Sequence, residues 1–135
     1  MNAVAQVFAG LAVLVHLLAF TWEVVLFERP GVHEGIFRIP AANLPATRLW
    51  SFNVGFYNLF LAAGPVLGLV LLHTGHVEAG RTLVLYCCGF MLLAGIALGV
   101  SDVLALSRPR GAGRGGALAQ AVPPLIALVA ALFQL

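Results

Sequence analysis

Charge is scarce in this chain of 135 residues: only 9% are Asp, Glu, Lys or Arg, and lysine is absent. An ordinary soluble domain carries about 25% charged residues, so a soluble globular protein is excluded. Seven scattered arginines build no basic face for nucleic acid, so no nucleic-acid partner is expected. Cysteine is limited to the adjacent Cys87 and Cys88, which cannot form an ordinary bridge with each other and have no second pair to join. Phosphate loops, dinucleotide fingerprints, haem-attachment motifs and nucleophile elbows are missing as well, so no cofactor is called for. What is abundant is hydrophobicity, at 61% of residues with a mean hydropathy of +1.03. Disorder is excluded by the same figures, and the bilayer is the solvent to reason in.

Four apolar stretches run from about Ala3 to Phe27, Trp50 to His73, Thr82 to Leu106 and Ala117 to Leu135. Each is at or near the ~20 residues a spanning helix needs. The first lacks a basic leader region and carries His16 and Glu23, so it reads as a retained helix and not as a signal peptide. The expected fold is all-α: one antiparallel bundle of four transmembrane helices occupying residues 1–135. The loops after the first and third spans fall on one side of the membrane. They hold Arg29, Arg38, Arg48, Arg108, Arg110 and Arg114, against Arg81 on the other side. By the positive-inside rule both termini face outward from a bacterial cytoplasmic membrane.

Polar groups inside spans are costly, roughly 2.5–3.5 kcal/mol for a central Asp or Arg, and therefore informative. They are His16, Glu23, Asn53, Asn58, Asp102 and Gln120, with Tyr57 beside them, and all but His16 fall in the Arg-rich half. His16 and Glu23 are seven residues apart and share one helical face. Asn53 and Tyr57 are neighbours one turn apart; Asn58 is rotated away, which leaves one of the two amides to packing. On the third span Gly95 and Gly99 form a GxxxG match that lets another helix approach, with a homo-oligomer contact as the alternative use of that face. Asp102 follows Gly95 by seven residues and so looks into the bundle.

Plainer roles exist for each. Glu23 can reach headgroups or pair with Arg29 or Arg48, His16 can donate to a backbone carbonyl, and Asp102 can cap the following loop or meet Arg108. Asn53, Tyr57 and Asn58 can tie helices together, and His33, Glu34, His73 and His76 read as solvated. His16, Glu23 and Asp102 have no close ligand spacing, so no metal site is expected.

His16 and Glu23 at seven-residue spacing, followed by Asn53-Val-Gly-Phe-Tyr-Asn-Leu-Phe-Leu-Ala-Ala-Gly64, resemble the small four-helix bacterial membrane proteins of the domain-of-unknown-function 1304 type. That family's pattern is an H-x6-E helix and then N-Q-G-x-Y-N-x-F-L-A-A-G. Val54 stands where a glutamine is usual and Phe27 where a tryptophan is usual. In residue type alone, the intramembrane histidine and acids are also similar to those of emopamil-binding sterol isomerases and small integral-membrane terpene cyclases, an analogy at the level of kind.

Together these features point to a cofactor-free acid/base enzyme, an isomerase or cyclase that protonates an alkene or epoxide of a hydrophobic, isoprenoid or lipid-like substrate. Glu23 is the expected proton donor and Asp102 its charge partner in a shared pocket, with His16 and Asn53 orienting the site. Tyr57, Asn58, Phe20, Trp22 and Phe56 are expected to bind substrate, the aromatics through π-faces. The competing readings are a small proton-coupled transporter of lipophilic or cationic compounds and an accessory subunit without chemistry.

Overall fold

A computed structural model describes residues 1–106 and 108–133. Ser107, and the last two positions of the expected fourth span, Gln134 and Leu135, lie outside the described residues. The described chain is helical without a strand: α1 (Ala3–Phe20), continued by a π-helical turn (Thr21–Val25); a short α2 (Pro30–His33); α3 (Leu44–His73), entered through a 3-10 turn (Ala41–Asn43); α4 (Val77–Val103); and α5 (Arg114–Leu132). Four of these segments, Ala3–Val25, Ala41–His73, Val77–Val103 and Arg114–Leu132, are long and apolar enough to cross a membrane. This is the build of an integral membrane protein, because in hydrocarbon a backbone must satisfy its own polar groups, as a helix does.

Helix boundaries differ from the hydropathy limits at the loops. α3 begins six residues before Trp50, because Pro45 suits a first helical turn and needs no amide partner there. α4 starts five residues before Thr82 and ends at Val103, three short of Leu106. Pro65, Pro123 and Pro124 lie inside helices that nonetheless run through.

α1 packs on α3, α3 on α4, α4 on α5, and α5 returns to α1, which closes an antiparallel four-helix ring. Its core is made largely of small residues: Ala5, Ala9, Ala12, Ala62, Ala117, Ala127 and Ala131 are buried, whereas Leu14, Phe60, Leu93 and Leu132 are exposed. Lipid is as apolar as leucine, so helices gain from close approach over small residues and not from hiding large ones. Gly95 shows the tightest case for the expected GxxxG face. A Cβ there would sit 2.8 Å from the Ala121 backbone nitrogen on α5, while one at Gly99 would only touch Ala117 at 3.7 Å. The close approach therefore belongs to Gly95 alone.

Candidate functional site

The site starts from a local defect in α1. Between Thr21 and Val25 the helix widens, and the Leu26 amide donates to the Thr21 carbonyl five residues back at 2.9 Å. Such π turns are rare and recur at functional sites. Glu23 sits in this turn, and Ser51 of α3 donates its hydroxyl to the Glu23 backbone carbonyl at 2.8 Å. The turn can lie against α3 because position 55 is glycine: a Cβ there would run into the Val24 side chain and come within 3.1 Å of the Glu23 Cβ.

Asn58, one turn beyond Gly55 and buried, joins the two ionisable residues of α1. Its amide nitrogen donates to Glu23 Oε2 at 2.7 Å. With that nitrogen committed, the amide oxygen faces His16 Nδ1 at 2.7 Å, so the imidazole donates through Nδ1 and its lone pair resides on Nε2. That Nε2 is buried and has no hydrogen-bond partner among the described residues, and His16 as a whole is 1% exposed.

These three residues border a cavity of about 800 Å³, within the range of small-molecule sites. All four long helices contribute to its wall, with Trp22 from the π turn that continues α1, Val54 from α3, Phe90 and Leu98 from α4 and Gln120 from α5. Tyr57, Phe60 and Phe90 line it while being more than half exposed, so the cavity opens sideways between helices toward the surroundings. The segment after α1 closes its Arg-rich end: Ile36 and Phe37 line the cavity, Phe37 packs on Phe27 at 6.0 Å, and Glu28 pairs with Arg48 on the surface. Arg108 borders the cavity from the α4–α5 loop.

The structure brings together His16, Glu23 and Asn58, with Tyr57 and Trp22 in the same cavity. Four expected members stand elsewhere. Asn53 is exposed and donates to the Leu49 carbonyl of its own helix at 3.0 Å; the amide bonded to both His16 and Glu23 is Asn58. Asp102 is buried, but its carboxylate accepts the backbone amides of Gly111 at 2.9 Å and Gly113 at 2.6 Å. It organises the α4–α5 loop, where Gly111 holds φ +95°, and is not part of the cavity wall. Phe20 and Phe56 stack edge to face at 5.5 Å on the α1–α3 contact and likewise do not line the cavity. His33, read as solvated, is buried with Nδ1 bonded to the Ile39 carbonyl at 2.9 Å.

Gly55, Ser51 and Phe37 are not singled out by the sequence, and Arg108 is read there as a loop charge and a partner for Asp102, not as a cavity residue. Gly55 and Ser51 carried a usable signal, since they lie three and seven residues before Asn58 and so share its face. Among the described residues no three His, Cys, Asp or Glu side chains gather to hold a metal ion.

No curated protein and no solved structure matches the chain, so the likeness in kind to sterol isomerases and terpene cyclases finds no counterpart there. A family described as "Protein of unknown function (DUF1304)" matches residues 10–132. That match takes in α1 from Gly10 onward, the other three long helices and every residue of the polar group, and the chain belongs to the DUF1304 family.

Proposed function

We propose that the protein is a membrane-embedded acid/base enzyme, an isomerase or cyclase that protonates an alkene or epoxide of a hydrophobic, isoprenoid or lipid-like substrate. One observation carries this reading: a carboxyl and an imidazole, both bound to Asn58, stand in the wall of an apolar cavity open at the side. Glu23 gives its proton to one alkene carbon, so a C–H bond forms as the π bond breaks and the adjacent carbon becomes cationic. The Glu23 carboxylate so formed takes a neighbouring proton from the cation, which sets the double bond in its new position and restores the acid, while His16 acts by holding Asn58 and through it Glu23 in place. The π-faces of Trp22, Phe60 and Phe90 at the cavity favour such a cation, and a wall made mostly of apolar residues gives water few partners there. Entry from the lipid suits the exposed rim. The Arg-rich end, with Glu23 near it, is cytoplasmic in a bacterial inner membrane in this reading, both termini facing outward.

A substrate need not be known to test this. Protein in phosphatidylcholine nanodiscs is incubated with a total lipid extract in deuterated buffer, and hydrophobic compounds are searched by mass spectrometry for added deuterium. Wild type is expected to label a compound and Glu23→Gln, which keeps the shape and loses the transferable proton, is not. Equal labelling by both proteins, or labelling by neither, overturns the enzyme reading; proton-driven uptake into vesicles without labelling is the transporter outcome.

A further inference from the structure

The unpartnered nitrogen of His16 says something about the ligand that the acid/base reading leaves open. A buried polar atom without a hydrogen bond forfeits the full desolvation penalty and is uncommon enough to require a reason. Nδ1 is occupied by Asn58, the Asn58 nitrogen is occupied by Glu23, and the orphaned Nε2 carries a lone pair. The missing partner is therefore a donor. Among the described residues none supplies it: His16 belongs to the cavity wall, and no backbone or side-chain donor there bonds to its Nε2.

The geometry points to a hydroxyl-anchoring subsite at His16 Nε2, and hence to a lipophilic alcohol as the ligand class. Its O–H donates to Nε2, and its apolar body fills the cavity toward the exposed rim at Tyr57 and Phe60. This deepens the proposed function, since it names the handle by which an otherwise apolar substrate is held in register with Glu23. It also stands on binding alone, independent of any turnover.

The test uses dodecanol and dodecyl methyl ether, which share a chain but differ in the donor, titrated into the protein in phosphatidylcholine nanodiscs. The alcohol is expected to bind about five- to tenfold tighter, the worth of one neutral hydrogen bond. His16→Asn places an amide where Nδ1 stands, keeps a donor to Asn58 and removes Nε2; it is expected to bind both probes equally. His16→Gln places its amide where Nε2 stands and is expected to retain a preference for the alcohol. Nitrogen-15 NMR of labelled histidine in the wild type supplies a readout that needs no variant, with the alcohol shifting the His16 Nε2 signal and the ether leaving it in place. Equal affinities, a preference that survives His16→Asn, an unmoved Nε2 signal or no binding of either probe would each overturn the subsite. A Glu23→Gln protein that binds the alcohol normally and yet labels nothing leaves the subsite standing; a wild type that labels compounds and ignores the alcohol leaves only the acid/base reading.

Discussion

Asn58→Leu is the sharpest probe of the polar group, because leucine keeps nearly the same volume and removes both side-chain bonds at once. The two bonds lost are the 2.7 Å contacts to His16 Nδ1 and to Glu23 Oε2. Interhelical hydrogen bonds in membranes average about 0.6 kcal/mol, which would set the loss near 1 kcal/mol if both partners found substitutes. Their surroundings differ, however. Glu23 is half-buried and can turn toward the open cavity, so its share stays near that average. His16 is 1% exposed and has no second partner, so it bears the cost of a stranded buried group, about 1–3 kcal/mol. The total expected is about 2–4 kcal/mol. Asn53→Leu is the matched control, since Asn53 is exposed and bonds only to its own helix; it should stay within about 0.5 kcal/mol. Reversible unfolding in mixed micelles with rising dodecyl sulfate measures both. If Asn58→Leu costs no more than Asn53→Leu, the bridge between His16 and Glu23 contributes nothing and the account of the site fails.

Gly95→Ala is expected to destabilise by about 1–3 kcal/mol, because its Cβ meets the Ala121 backbone and neither helix can give way cheaply. Gly99→Ala, with room at 3.7 Å, is expected to be neutral or to gain up to about 1 kcal/mol of helix propensity; the same unfolding assay separates the two, and like signs would refute the assignment. For orientation, Arg38→Cys and Glu78→Cys both place a thiol at an exposed position at opposite ends of the bundle, while the native Cys87 and Cys88 are buried. An impermeant thiol reagent added to intact cells is expected to label position 78 and spare position 38, and the reverse pattern inverts the topology.

The spans were legible in the sequence because hydrocarbon imposes a length and a composition that no tertiary contact can override. The start of α3 was less so: Arg48 and Pro45 lower the apolar signal over a turn and a half that is helical all the same. His16 and Glu23 stood out because ionisable groups in hydrocarbon demand a reason. Which amide served them did not, since Asn53 and Asn58 differ only by the rotation of α3 about its axis, and that rotation is set by Gly55 meeting the π turn. The turn itself has no signature in TWEVV, an ordinary helical string. The spacing from Gly95 turns Asp102 into the interior, where it is buried, but its partners are amides of a loop whose left-handed glycine is a tertiary outcome, and the depth it shares with Glu23 does not make the two a pair.

The small-residue core has a consequence for how the cavity behaves. Ala19, Ala94, Gly116 and Ala119 are among its wall residues, and at those positions the helix backbones themselves stand close to the cavity. Its volume therefore changes when whole helices lean against one another. Lean, in turn, answers to the thickness of the surrounding hydrocarbon, at a fraction of a kcal/mol per ångström of mismatch. The lipid around this bundle is thus a regulator of the room inside it. Short-chain or long-chain phospholipids should loosen or tighten the grip on one and the same guest without a single residue being altered.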